Sequence, residues 1–432
     1  MSYRDFLFGL VLIIAFALMC AYSSAAENDD NAYMEDLFSE EEYPQDMDTL
    51  EEFIQSYYLL LDSNEYLNRF KFIRLEKNNI AGDTTALNSF YKKLLELRSG
   101  LRQRVSIYQL GDSHIQSGYF SGTARASLQK YYGNAGRGLV FPLRLAGTNQ
   151  PDDYRISSSN GYSRLNGERG ICGYALKIND SSALEISTNK FFGLDSSFDK
   201  LSILSSQPGF KTSLKIAGDS YEHQDLDLGA YRLNQISWDQ PVNNIGVTLN
   251  GENSTLYALM LEKQQPGLLY HSSGINGAGF YTLVKSPKVF EQIALLNPDL
   301  IVVSLGTNDA QGNFREKEFN ANLLSFMAQL RQQNPDTAVL FTLPPDSYKR
   351  GKHNSDLGRV EKLITDYAKN NNCAWWNLSD VMGGKKSVQK WRKEQMASKD
   401  LVHYTPKGYM LQGYLFYQAL IKSYKQFSET PR

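Results

Sequence analysis

Cysteine is scarce in this chain: there are three in 432 residues. Cys20 falls in an N-terminal apolar run, which leaves Cys172 and Cys373, far apart in sequence and expected to be unpaired. Two such cysteines are no disulfide framework, and without a CxxC or a His-rich cluster there is no metal-ligand spacing. An excess of charge is missing too. A net charge of −2 gives no electrostatic case for nucleic acid. The loop Gly133-Asn-Ala-Gly-Arg-Gly-Leu-Val-Phe-Pro142 is rich in glycine but lacks the Gly-Lys-Ser/Thr ending of a P-loop. It is not a GxGxxG motif following a strand either, so a phosphate cradle is not expected. The apolar run at 6–19 is short for a membrane span of about 20 residues.

That run has the order of a secretory signal. Arg4 precedes it, and the small residues Ala21-Tyr-Ser-Ser-Ala-Ala26 follow. Residues 1–26 are therefore expected to be a signal peptide cleaved near Ala26. A retained anchor is one alternative. Lipid attachment at Cys20 is another, although Leu18 and Met19 are bulky where such signals use small residues. Residues 27–52 carry many acids and no lysine or arginine, which predicts an extended, flexible acidic leader.

What the chain has in quantity is apolar material, 42% of it, enough for a large core in one to three domains. From 53 to 100 the period is helical. Phe53, Ile54, Tyr57, Tyr58 and Leu61 share one face, and Leu87, Phe90, Tyr91, Leu94, Leu95 and Leu97 share another. Val105-Ser-Ile-Tyr-Gln-Leu-Gly-Asp-Ser-His114 then reads as a strand entering a sharp turn. A helix over 121–132, closed by Gly133, follows. Between about 160 and 265 the period shortens to two, in runs such as 183–187, 200–204, 244–249 and 256–261, separated by Gly/Asn/Asp/Ser turns. Such runs predict a β-sandwich inserted at 161–265. Its aromatic residues Phe191, Phe192, Tyr221, Tyr231 and Trp238 are candidates for core or for stacking on sugars.

Helix and strand alternate again over 266–432. Ser286-Pro287 opens a helix, Leu300-Ile-Val-Val-Ser-Leu305 is a continuous apolar strand, and further pairs run to a last helix starting at Thr405-Pro406. Residues 53–160 and 266–432 are thus read as two parts of one α/β domain with a parallel sheet covered on both faces.

Four stretches fall at strand ends or helix starts of that sheet: Gly111-Asp-Ser-His114, Gly274-Ile-Asn-Gly277, Gly306-Thr-Asn-Asp309 and Asp400-Leu-Val-His403. Their chemistry is complementary. Ser113 needs a base, His403 can supply it, and Asp400 three residues earlier can hold the imidazole tautomer. Asn308 and the backbone N–H groups of Gly277 and Ser113 are suited to an oxyanion. Each stretch alone is compatible with an ordinary turn or cap; the set and its order are what carry weight.

On these four blocks the sequence resembles the SGNH (GDSL-type) hydrolase family. The resemblance implies a flavodoxin-like three-layer α/β/α domain and a serine esterase needing no metal or other cofactor. It makes Ser113 the nucleophile, His403 the base, Asp400 its orienting acid, and Ser113, Gly277 and Asn308 the oxyanion donors. Gly274 also fits the glycine block; Gly277 is preferred as the second glycine of the motif. The family's usual leucine after the serine is His114 here, expected to pack or to face substrate.

The GDSH block, the Gly-rich loop and the inserted sandwich together look like bacterial peptidoglycan O-acetylesterases, in which the insert is similar to a carbohydrate-binding module. That implies an exported enzyme whose partner is an O-acetylated glycan, with no nucleic acid and no stable membrane partner beyond an N-terminal anchor. Esterase action on acetylated xylan or another polysaccharide, acetyl transfer, and glycan binding without catalysis are the competing readings.

Overall fold

The computed structural model describes residues 47–429 except 84, 216–220 and 252–253. The expected signal peptide and most of the acidic leader lie outside the described residues. The leader needs one correction at its end. Residues 47–52 are not extended but form the first turns of helix α1, Met47–Leu61. The helical period that buries Ile54, Tyr57, Tyr58 and Leu61 extends back through these residues.

The α/β part is built on a six-stranded sheet. Its strands are β1 (Ile80–Gly82), β2 (Arg104–Gly111), β3 (Gly267–Gly274), β4 (Leu300–Ser304), β5 (Ala338–Thr342) and β6 (Ala374–Trp376), in the order β1-β6-β5-β4-β2-β3. All neighbours are parallel except β1, which pairs antiparallel with β6 at the edge. Within the parallel set the order is second-first-third-fourth-fifth, the flavodoxin-like arrangement. The chain reverses its direction of progress between β2 and β4, and crevices at that point hold ligands in such sheets.

Helices α2 (Asn88–Arg98), α3 (Tyr119–Tyr132) and α7 (Pro406–Glu429) pack together. Helices α4 (Pro287–Leu295), α5 (Glu316–Gln333) and α6 (Asp356–Asn370) form a second group. Burial of β4 and β5 is complete at Leu300 to Val303 and Ala338 to Thr342, as a strand covered on both faces requires.

The all-β part begins earlier than the expected 161. Strands Gly138–Val140 and Tyr154–Ser157 already belong to it. One sheet has Phe198–Ser206, Tyr231–Val242 and Thr255–Glu262 among its central members; the other has four strands centred on Ser181–Thr188 and Asn244–Asn250. Leu184, Ile186, Val247 and Leu249 of the second sheet share one core with Leu201, Ile203 and Leu256 of the first. Of the aromatic candidates, Tyr231 and Trp238 are buried in this core, Phe191 and Phe192 are buried outside it, with Phe192 against Tyr58 of α1, and Tyr221 is exposed.

The glycine-rich loop has a packing role. A Cβ on Gly136 would lie 2.5 Å from the Glu262 backbone, and one on Gly133 would lie 2.9 Å from the Pro266 carbonyl. The loop runs flush against the segment that leaves the insert and enters β3. Cys172 and Cys373 are both free and buried. Among the described residues no helix is long and apolar enough to cross a membrane.

A close approach at the carboxyl edge fixes the site. A Cβ on Gly274, the last residue of β3, would stand 2.0 Å from the Gln116 amide nitrogen. Gly274→Ala should therefore lower folding stability by about 1–3 kcal/mol, the usual range for overpacking. Chemical denaturation of the two proteins measures this, and an unchanged midpoint would contradict the packing described.

Candidate active site

The strand β2 ends at Gly111, and Asp112 turns the chain into a four-residue helix, Ser113–Gln116. Asp112 caps it by accepting a hydrogen bond from the His114 N–H at 3.0 Å. The glycine is required by space, since a Cβ at 111 would meet the Ile115 side chain at 2.2 Å. Ser113 is thereby presented at the carboxyl edge of the sheet, next to the end of β4, where Ser304 pairs with Gly111.

His403 reaches it from the loop before α7. The Ser113 Oγ lies 3.0 Å from His403 Nε2, and His403 Nδ1 lies 2.6 Å from Asp400 Oδ2. The other Asp400 oxygen accepts the backbone N–H groups of Val402 and His403, at 2.9 and 3.0 Å. The loop is shaped for this by Leu401, whose φ of 57° is in the left-handed region. Burial works to raise the Asp400 pKa, but the hydrogen bond and charge of His403 and the two N–H donors overcome it and hold the carboxyl at about 2. Asp400 is ionised at any pH near neutrality and faces Nδ1 as an acceptor.

The structure thus brings Ser113, His403 and Asp400 into one hydrogen-bonded line. Asn308 and the loop that carries Gly277 are joined to each other. Asn308 follows β4 in the short helix Thr307–Gln311, and its Nδ2 donates to the Ala278 carbonyl at 2.9 Å. Its neighbour Asp309 accepts the Phe280 N–H at 3.2 Å, so consecutive residues hold the 277–280 loop. Gly277 has a φ of 70°, whereas Gly274 is still in the strand with the Gln116 backbone where its side chain would be.

His114 does not face open solvent. It is buried, its ring stacks on His403 at 5.3 Å between centroids, and its Nδ1 is 3.0 Å from the Tyr409 hydroxyl on α7. Burial, and then the charge of His403, push its pKa down to about 3, so it sits beneath His403 as a neutral ring.

Sequence reasoning missed Gln116. It is 2% exposed, and its Oε1 accepts the Asn276 N–H at 2.7 Å. Its Nε2 donates to Thr148 Oγ1 and to the Asn149 carbonyl, both at 2.9 Å. The one available signal was its spacing, one helical turn after Ser113. Among the described residues no group of three or more His, Cys, Asp and Glu side chains is placed to hold a metal.

Comparison with known proteins bears on the family and the fold. The model of the GDSL-like lipase/acylhydrolase family matches residues 239–411, a stretch that contains the glycine block, Asn308, Asp400 and His403. A solved peptidoglycan O-acetylesterase is similar in structure with a TM-score of 0.68 at 22% identity, over 80% of this chain and 98% of that one. A lipase/acylhydrolase from Enterococcus faecalis is similar over 36% of this chain and 76% of its own, at 19% identity and a TM-score of 0.30. A family 3 carbohydrate esterase from Talaromyces cellulolyticus matches over 36% and 72%, at 18% identity and a TM-score of 0.29. No curated protein matches the sequence. Over residues 239–411 the chain resembles the GDSL-like lipase/acylhydrolases, and its fold is shared with the solved esterase over 80% of its length. The match and the fold support a carboxylic ester hydrolase.

Asp112 generates a pH prediction. Burial, with the Asp309 charge adding, pushes its pKa up to about 7 against the opposing His114 N–H and His403 charge, and its Oδ2 has no partner among the described residues. The folded state binds this proton more tightly than the unfolded chain. The associated stability is fully present below the unfolded value of 3.8 and is lost as pH rises through 7. It is worth up to about 4 kcal/mol. Asp112→Asn keeps the cap acceptor and removes the titration. The parent's loss of stability between pH 5 and 8 should shrink in the variant, as followed by denaturant midpoints. Equal slopes in the two proteins would contradict the raised pKa.

Proposed function

We propose that this chain is an exported carbohydrate O-acetylesterase acting through a Ser113–His403–Asp400 triad. The observation that carries the reading is the line of hydrogen bonds from the Ser113 hydroxyl through His403 to an ionised Asp400. Ser113 Oγ attacks the acetyl carbonyl and passes its proton to His403 Nε2. Asp400 stabilises the imidazolium and keeps its orientation. The negative oxygen of the tetrahedral adduct is met by the N–H groups of Ser113 and Gly277 and the Asn308 amide. His403 then protonates the departing sugar oxygen. Water, deprotonated by the same imidazole, attacks the acetyl-enzyme, and the imidazolium returns the proton to Ser113 Oγ as acetate leaves.

The preferred substrate is O-acetylated peptidoglycan. Three things support it: the likeness along 80% of the chain to a peptidoglycan O-acetylesterase, the β-sandwich within the hydrolase domain, and the signal-like N-terminus. Export follows from that N-terminus, and the insert, spanning about 161–265 with its earlier strands, is a candidate glycan module. Action on acetylated xylan uses the same triad with another acetyl donor, and transfer to another sugar uses it with that sugar in place of water as acceptor.

The test is acetate release by the mature protein from O-acetylated peptidoglycan and from acetylated xylan. Release from peptidoglycan alone is expected, and release only from xylan would overturn the substrate. Ser113→Ala should lower turnover by on the order of 10⁴-fold or more while leaving the fold intact; retained turnover would sink the nucleophile.

Tyr281 offers a second test. It is 41% exposed and its hydroxyl lies 3.4 Å from the Gly277 carbonyl, so its ring stands beside the oxyanion loop. An exposed ring there is suited to stacking on a sugar. Tyr281→Ala should reduce kcat/KM several-fold on the polymer and leave a small acetyl ester unaffected. Equal losses on both substrates would remove that role.

A further inference from the structure

We propose that Gln116 is the positioning residue that sets the oxyanion site, by fixing the glycine loop to the nucleophile's own helix; this rests on the triad and donor assignments proposed above. The loop that carries Gly277 is gripped from two sides. From β4, Asn308 and Asp309 bind Ala278 and Phe280. From β2, the Gln116 carboxamide binds Asn276, the residue immediately before Gly277. Gln116 lies one helical turn from Ser113 on a rigid four-residue helix, so the bond ties one backbone donor, the Ser113 N–H, to the other, the Gly277 N–H.

The amide is itself held in one orientation. Its Nε2 has two acceptors, the Thr148 hydroxyl oxygen and the Asn149 carbonyl, which direct Oε1 towards Asn276. Thr148 is a shared node. Its Oγ1 also lies 3.3 Å from Asn276 Nδ2 and 3.3 Å from the Tyr174 hydroxyl. Gln116 is buried and its partners are half-buried, and an unmade hydrogen bond on a buried carboxamide is costly. Gln116 approaches no reacting atom; it acts through the placement of the donor next to its partner.

Catalysis by oxyanion donors depends on their being fixed before charge develops, and small misplacements are expensive. Gln116→Leu removes both the acceptor for Asn276 and the anchors to the 148–149 loop. Expected for this variant is a fall in kcat on a small acetyl ester of about 10- to 100-fold with KM little changed. Turnover is to be counted per active site titrated with a phosphonate, so that a reduced folded fraction does not register. Binding of a trifluoromethyl ketone, which forms a tetrahedral oxyanion adduct on the serine, should weaken by a similar factor. Thr148→Val, which removes one of the two anchors, should give a smaller loss of the same kind, and it carries the test if Gln116→Leu does not fold.

Turnover per titrated site within twofold of the parent would overturn the inference. So would a loss of kcat with unchanged ketone affinity. Ser113→Ala measured alongside separates the two levels. Retained turnover in that variant sinks the triad reading and this inference with it. Its loss beside an unimpaired Gln116→Leu sinks the present inference alone.

Discussion

The site depends on two strand ends that carry no side chain. Gly111 and Gly274 are in register on adjacent parallel strands, and the short helix Ser113–Gln116 lies directly against both. The Ile115 side chain fills the space over Gly111, and the Gln116 backbone fills the space over Gly274. Any Cβ at either place would lift the helix off the sheet edge and take Ser113 away from His403. The fold's topology contributes the other half. With β2 between β3 and β4, the loops after all three strands open at one place, and the chain's last loop brings Asp400 and His403 to it.

Charge is distributed around this point by burial and by donors. Asp400, more exposed and bonded to two backbone N–H groups and an imidazole, is held ionised at about 2. Asp112, deeper and with one oxygen unpartnered, is pushed up to about 7, and burial likewise raises Asp309 to about 6. His114, stacked under His403, is kept neutral. Of the groups crowded here, Asp400 is the carboxylate bonded to His403, in line with the serine. The same residue types thus acquire different states from their surroundings, as an acid–base site requires.

Much of this was legible in the sequence, for identifiable reasons. The run at 300–305 shows itself because a strand covered on both faces must be apolar throughout. Ser113, Asn308, Asp400 and His403 stand out because their motifs sit where strands end or helices begin. Other parts were hidden. Strand Glu222–Leu228 is an exposed edge, and Glu222, His223, Gln224, Asp225 and Asp227 give it no apolar face to betray it. Strand β3 carries His271, Ser272 and Ser273 just before its last residue, Gly274, and these give it the polarity of a loop, although it is buried nearly throughout. Gln116 looks like any polar helix residue. Its importance comes from Asn276 and Thr148, which only the tertiary fold brings to it.

The most direct test of the central arrangement is covalent. A fluorophosphonate reacts with an activated serine and leaves a stable adduct that peptide mass spectrometry can locate. A single adduct on the peptide bearing Ser113 is expected, with esterase activity lost in proportion to labelling and with labelling suppressed in His403→Ala. An adduct formed elsewhere with Ser113 unmodified and activity abolished, or full activity in a protein labelled at Ser113, would contradict a nucleophile built at this strand end.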